Sequence, residues 1–227
     1  SYNKGNQILK SYNYNMKKRK PPKDINRLFN LGLIKLEADF ESLPKETIEL
    51  FINKKYKKCL VYLNKVLDEN PYNIGALLYK SIILKYREKY QESNNCLDLF
   101  INQFQYFSYA HQYQAENYLK LGKYEEAMEA CKGCLFINKD NPYIWGLVSL
   151  SCFLRDKKSL AYAFLEEAEK YVKKDKGQLY LIRGFLEKTE GRKEDALISF
   201  MQSRELIKEN DGFFASEIYN LLKNENI

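Results

Sequence analysis

Histidine is nearly absent from this 227-residue chain, because His111 is the only one. A catalytic histidine pair and a metal site with several histidine ligands are therefore excluded. Glycine is also scarce: the ten residues are scattered and do not form the glycine-rich loop that cradles phosphate. These absences leave little material for catalysis.

The five cysteines form no recognisable metal or redox motif. Cys131 and Cys134 have the C-x-x-C spacing that suits zinc or a dithiol, but a zinc site needs two further ligands that the sequence does not supply. We interpret the cysteines as small core residues of a protein from a reducing compartment. The sequence predicts no metal, no cofactor and no enzymatic activity.

Long apolar runs are missing as well. No segment approaches the roughly 20 apolar residues that cross a bilayer, and the first residues lack the apolar core of a secretory signal. The chain is 45% hydrophobic and 30% charged, a composition typical of globular proteins. The sequence therefore predicts an intracellular, cytoplasmic protein without a transmembrane segment.

The net charge of +7 is confined to the first 23 residues, which contain no acidic side chain. The rest of the chain is balanced, so we do not expect the folded body to bind nucleic acid. Residues 1–23 are predicted to form a flexible basic tail with one cationic run: Lys17, Lys18, Arg19 and Lys20. This run suits nuclear import or polyanion binding. Contact with an acidic surface, or folding back into the protein's own groove, stays open.

A pattern of residue sizes recurs from residue 40 onward, in units that start at 40, 74, 108, 142 and 177. The first predicted helix of each unit carries a small residue: Thr47, Ser81, Ala115, Ser149 and Gly184. A second small residue opens the second helix: Cys59, Ser93, Ala127, Ala161 and Ala196. The turns between the helices use Asn53 with Lys54, then Glu88, Gly122, Asp156 and Gly191. Small residues at both places predict two helices that cross closely.

The third unit, which reads AENYLKLGKYEEAMEACKGC, makes the pattern identifiable. It resembles the tetratricopeptide repeat (TPR) family, and the resemblance extends over about residues 40 to 210. It implies an all-α fold, a right-handed α-solenoid of antiparallel helix pairs in which each pair buries its apolar face against its neighbours. Pro44 departs from the pattern and predicts a short first helix that begins near Ser42.

Two segments flank the five units. Residues 24–39 are predicted to form an N-terminal packing helix or part of a degenerate repeat, since Ile25, Leu28 and Phe29 have helical spacing. Residues 211–227 are predicted to form a C-terminal capping helix, because the last pair of a repeat array needs a cover.

The resemblance implies that the first helices line a concave groove. Their inward register places are the second, fifth, sixth, ninth, twelfth and thirteenth of each unit. The predicted groove residues are Leu78, Tyr79, Ile82, Tyr86, Tyr109, Gln112, Tyr113, Tyr143, Leu147, Leu150, Leu181 and Phe185. Aromatic and apolar side chains suit a protein partner, either an extended peptide or an amphipathic helix with apolar anchors.

Some family members hold the acidic C-termini of chaperones with a clamp of Lys, Asn and Arg. Here the matching places carry Leu78, Ile82, Tyr113, Tyr143 and Leu147. Chaperone C-terminal tails are therefore not expected as partners.

The sequence thus predicts a non-catalytic protein-binding scaffold or adaptor, a subunit of a multi-protein complex. The alternative is a factor associated with nucleic acid or another polyanion through the basic tail. Permanent filling of the groove, by a larger superhelix or by the chain's own tail, also stays open.

Overall fold

Every regular element of residues 25–207, the part of the chain that the computed structural model describes, is an α-helix. The helices are α1 Ile25–Glu41, α2 Lys45–Ile52, α3 Tyr56–Glu69, α4 Ile74–Tyr86, α5 Tyr90–Gln103, α6 Ser108–Lys120, α7 Tyr124–Ile137, α8 Pro142–Leu154, α9 Lys158–Ala168, α10 Lys176–Thr189 and α11 Lys193–Leu206. They fall into two compact units that divide between Leu121 and Gly122. The first unit contains α1 to α6, and the second contains α7 to α11. The basic tail and the predicted capping helix lie outside the described residues.

Three-residue turns join α2 to α3, α4 to α5, α8 to α9 and α10 to α11. Such short connections make the joined helices antiparallel neighbours, and each of these pairs is in contact. One residue in each of these turns has a left-handed backbone: Lys54 (φ 55°), Glu88 (φ 59°), Asp156 (φ 57°) and Gly191 (φ 76°). The backbone thus reverses direction at the same register place in each pair.

The first helix of the first repeat, α2, is the shortest of the eleven. It begins at Lys45, after the predicted Ser42, because Pro44 occupies the N-cap with an extended ψ of 135°. A stronger start signal precedes α4, where the Asn73 side chain accepts a hydrogen bond from the Ala76 N–H. The same kind of cap precedes α8, where Asn141 is followed by Pro142 at the first helical position.

The paired small residues of the repeat lie where two helices of one pair meet. The Ser93 hydroxyl donates to the Ser81 carbonyl at 2.8 Å, and the Ser149 hydroxyl donates to the Ala161 carbonyl at 2.9 Å. In the last pair, a Cβ added at Gly184 would lie 2.5 Å from the Phe200 ring. Close crossing explains why these places need little bulk.

Helix α1 lies against the second pair. The Ile74 N–H donates to the Asp39 carboxylate at 2.7 Å, and the Phe40 ring lies 5.1 Å from that of Tyr79. Nearer the start of α1, Gly32 closely approaches the Phe104 ring. These contacts hold α1 against α4 and the end of α5; whether α1 is a packing helix or part of a degenerate repeat stays a prediction.

We expect Glu88→Gly to raise the free energy of unfolding by about 0.5 to 1 kcal/mol, because a left-handed backbone strains residues that carry a Cβ. Glu88 is exposed and lies in the turn after α4. Urea denaturation of both proteins measures the difference. Glu88→Ala is the control and should change little, since alanine keeps the strain; equal stabilisation by both substitutions would contradict the explanation.

Candidate protein-binding surface

Tyr86 and Tyr113 lie beside an ion pair between α4 and α6 in the first unit, and Tyr109 lies near Tyr113 on α6. We call Tyr86, Tyr109 and Tyr113 the tyrosine cluster. The Lys85 ammonium lies 2.7 Å from the Glu116 carboxylate and 5.5 Å from the centre of the Tyr113 ring. Tyr86 is 67% exposed and Tyr109 is 59% exposed. Large aromatic surface therefore faces solvent beside a fixed pair of opposite charges.

The ion pair is partly shielded from water, which strengthens it. Burial opposes the charged form of Lys85, yet its pKa is raised because the Glu116 carboxylate stabilises the ammonium. The pKa of Tyr113 is also raised, first by burial and then by the nearby Glu116 charge. The Tyr113 hydroxyl thus keeps its proton at physiological pH and is suited to hydrogen bonding.

Neighbouring contacts orient the cluster. The Tyr86 ring stacks on Tyr56 with an interplanar angle of 3° and 5.8 Å between centroids. Gln112 donates from its amide to Glu116 at 3.0 Å. Sequence reasoning missed Lys85 and Glu116, although both lie at inward register places, because the predicted groove was chosen mainly for apolar and aromatic side chains.

Two predicted groove residues of α4 belong largely to the packing of the first unit. Leu78 is 7% exposed, and the half-buried Tyr79 ring lies 4.4 Å from that of Phe51. Burial raises the pKa of Tyr79. The enclosed Leu78 side chain presents little surface, and Ile82, also on α4, is half-buried; that these residues line a binding groove stays a prediction.

The second unit differs from the first at the predicted groove residues. Tyr143 is 3% exposed, and Leu147 and Leu150 are 0% exposed. Leu181 and Phe185 on α10 are half-buried, and the Phe185 ring packs on Phe200 with centroids 5.5 Å apart. The three α8 side chains present almost no surface to solvent, and their place in a binding groove stays a prediction.

The cysteines and the histidine have structural surroundings. Cys131 and Cys134 are buried in α7, and burial raises the pKa of Cys59 to about 11 and of Cys152 to about 12. Such thiols stay protonated and weakly reactive. Within residues 25–207, no group of three or more His, Cys, Asp or Glu side chains could hold a metal ion.

His111 donates from Nε2 to the carbonyl of Gln105 at 2.8 Å. Burial lowers its pKa below the ordinary 6.5, and the hydrogen bond offsets part of that effect. Below pH 6.5 the unfolded chain therefore takes up a proton more readily than the folded chain. We expect the free energy of unfolding to fall between pH 7 and pH 5, and to fall less in His111→Gln, whose amide can still donate. Urea denaturation at both pH values measures this, and an equal fall in the two proteins would contradict it.

Solved structures of other proteins share this arrangement of helices. A MamA crystal structure aligns with a TM-score of 0.61 at 14% identity, over 70% of this chain and 92% of that chain. The MamA 41-end structure from Desulfovibrio magneticus RS-1 aligns with a TM-score of 0.63 at 14% identity, over 77% and 98%. Similarity at this level of identity shows the fold alone.

One curated relative connects the fold with a sequence family. The chain is 30% identical over 171 residues to the TPR repeat-containing protein MJ1428 of Methanocaldococcus jannaschii. The match covers 74% of this chain and 27% of that protein, so the chain spans about a quarter of its relative's length. No protein-family model matches the chain.

The fold is therefore that of an α-solenoid repeat protein built from antiparallel helix pairs, as the sequence predicted. The resemblance to the tetratricopeptide repeat proteins that the sequence showed is confirmed, since a curated TPR repeat-containing protein is similar in sequence and solved structures are similar in fold. Among the described residues, no helix is both long enough and apolar enough to span a membrane.

Proposed function

We propose that the chain is a non-catalytic protein-binding scaffold that holds a partner peptide or amphipathic helix as a subunit of a multi-protein complex. The observation that carries the proposal is the tyrosine cluster, with two rings more than half exposed on adjacent first helices. Exposed aromatic groups set around a partly buried charge pair are typical of binding surfaces rather than of inert ones.

The surface is suited to apolar anchors with nearby polar groups. Tyrosine offers large contact area and loses little side-chain entropy on binding, because only two torsions become fixed. Lys85 and Glu116 already satisfy one another, so a partner need not bring a compensating charge. A Leu, Ile or Phe side chain could lie between Tyr86 and Tyr109, and their hydroxyls could bond the partner's backbone.

A displayed library of random peptides tests this proposal, because it samples many partner chemistries at once. We expect the selected peptides to carry Leu, Ile or Phe anchors, and their Kd to rise about 30-fold for each alanine substitution at Tyr86 or Tyr109, the effect of a strong aromatic contact. Isothermal titration calorimetry measures the change.

Tyr72→Ala is the matched control, because Tyr72 is 60% exposed but lies in the turn before α4, outside the cluster. Equal affinity for all variants would place the binding surface elsewhere. A library that yields no binder would contradict peptide binding altogether. A native mass in cell extract equal to that of one copy of the polypeptide would contradict membership of a complex.

A further inference from the structure

Five exposed lysines cluster in the first unit, in the turn after α2 and along one side of α3. We call them the lysine cluster: Lys54, Lys55, Lys57, Lys58 and Lys65. No acidic residue occurs between Glu49 and Asp68 in the sequence. Among the described residues, no acidic side chain forms an ion pair with any of the five. The opposite side of α3, with Cys59 and Leu63, is buried in the core of the first unit.

The second helices of other repeats have the opposite charge at the same register. In α7 and α11 the places of Lys57 and Lys58 carry acidic pairs: Glu125 with Glu126, and Glu194 with Asp195. Acidic groups there favour a helix, because its first turn lies at the positive end of the helix dipole. Helix α3 has no acidic residue in its first turn, and its N-cap Lys55 makes no side-chain hydrogen bond. Helix stability therefore does not explain the lysine cluster.

Two large side chains are exposed among these lysines. Val61 is 55% exposed and Tyr62 is 36% exposed. Helical spacing places Lys57, Val61 and Lys65 in one row, and it places Lys58 and Tyr62 in the adjacent row. The longer row extends for about 12 Å, or roughly two helical turns. This face of α3 thus has an apolar centre bordered by positive charge.

A cleft of about 270 Å³ adjoins the second row, between α2 and α3. Its lining includes Lys58, Tyr62, Leu50, Glu46 and Glu49. The half-buried Leu50 and the Tyr62 ring offer contact to one apolar side chain, whereas the two glutamates would repel a carboxylate placed in the cleft. The carboxylates of a partner therefore fit along the other row, beside Lys57 and Lys65.

We infer that this face of α3 is a second protein-binding surface and that its partner is an acidic amphipathic helix. The partner's apolar residues lie against Val61 and Tyr62, and its carboxylates lie beside the lysine cluster. Paired helices use the same combination of an apolar seam and flanking charges to select a partner. The surface is separate from the tyrosine cluster, so the inference goes beyond the function proposed above and does not rest on it.

A helix suits this surface better than a lipid bilayer or a nucleic acid does. Glu46 and Glu49 line the cleft beside the lysines, and they would repel a uniformly anionic surface. A helix can direct its carboxylates toward one row and its neutral side toward the cleft. The first 23 residues of the chain contain no acidic side chain, so they do not complement the lysine cluster.

Fluorescence anisotropy with a synthetic peptide tests the surface. The probe is a helical peptide of roughly three heptads, with leucine at the a and d places and glutamate at the flanking e and g places. We expect its Kd to rise about tenfold for the double variant Lys57→Glu with Lys65→Glu, which turns two attractions into repulsions. Tyr62→Ala should raise the Kd about fivefold by removing an apolar contact. The Kd should also rise with salt, because exposed charges are screened.

Lys174→Glu with Lys193→Glu is the matched control, because it makes the same change of net charge at two exposed lysines of the second unit. Its Kd should stay close to that of the unaltered protein. Urea denaturation separates binding from folding. Lys57→Glu places an acidic group where the helix dipole favours it, and Lys65→Glu places one beside Glu69, where it is repelled. The two effects oppose each other, so the double variant should unfold at nearly the same urea concentration as the unaltered protein.

Several outcomes would overturn the inference. Equal Kd values for the double variant and its control, or equal binding of a probe with glutamine in place of glutamate, would show that the lysine cluster takes no part. The absence of measurable binding would refute an acidic helix as the partner. Tighter binding to phosphatidylserine vesicles or to single-stranded DNA would assign the face to an anionic lipid or a nucleic acid. A dimer that the double variant abolishes would assign it to a second copy.

The two surfaces are tested separately. Tyr109→Ala should leave the Kd of the probe unchanged, because Tyr109 lies on α6, away from the lysine cluster. Failure of the probe to bind would therefore leave the tyrosine cluster and the function proposed from it standing, and failure of the peptide library would leave the result at α3 standing.

Discussion

Trp145→Ala should lower the free energy of unfolding by about 3 to 5 kcal/mol, the usual cost of removing a large buried aromatic side chain. Trp145 is 1% exposed. Its indole stacks on Tyr171 with centroids 5.8 Å apart and an interplanar angle of 8°. Its Nε1–H also donates to the Lys139 carbonyl at 2.9 Å. One side chain thus connects α8, the turn before it and the segment after α9.

Urea denaturation followed by circular dichroism measures this loss, because the variant no longer has its fluorescent tryptophan. Trp145→Phe separates the contribution of ring packing from that of the hydrogen bond. Phenylalanine keeps much of the packing but leaves the Lys139 carbonyl without this donor, which should lower the free energy of unfolding by about 1 to 3 kcal/mol. Leu197→Ala is the control, since Leu197 is 61% exposed and should change stability by less than about 0.5 kcal/mol. A loss below about 1 kcal/mol in Trp145→Ala would show that the pocket collapses around the missing ring.

Asn117→Ala should lower the free energy of unfolding by about 2 to 4 kcal/mol, because it removes two buried hydrogen bonds together and leaves their acceptors unpaired. The Asn117 amide nitrogen donates to the Ser93 hydroxyl at 2.9 Å and to the Asn94 side-chain oxygen at 2.8 Å. The Ser93 hydroxyl in turn donates to the Ser81 carbonyl. This chain of bonds joins α4, α5 and α6 within the first unit.

A double-mutant cycle of Asn117→Ala with Asn94→Ala, read by urea denaturation, measures the coupling directly. We expect a coupling free energy above about 0.5 kcal/mol, as for residues in one hydrogen-bond network. Gln112→Ala is the control on the same helix, because Gln112 is half-buried and its amide bonds the partly shielded Glu116. Additive effects at Asn117 and Asn94 would contradict a shared network.

Asn117 also illustrates what sequence reasoning missed. The repeat pattern assigns roles to residue sizes, and size does not reveal that an amide on α6 reaches two side chains on α5. Ser93 occupies the place at which the third unit has Ala127, and this polar residue was a weak sign of a buried hydrogen bond. The Lys85 and Glu116 pair was missed for a related reason, since its members are 31 residues apart and only the stacking of α4 on α6 joins them.

The local features followed from the sequence. Helix ends at Asn73 and Asn141 are encoded by caps a few residues long, and the left-handed turn residues recur at a constant offset. The tertiary structure decided which inward places are open. Tyr109 and Tyr143 have the same residue type and register, yet one is 59% and the other 3% exposed. Capping and turn formation depend on neighbouring residues, whereas exposure depends on what the rest of the chain places against a side chain.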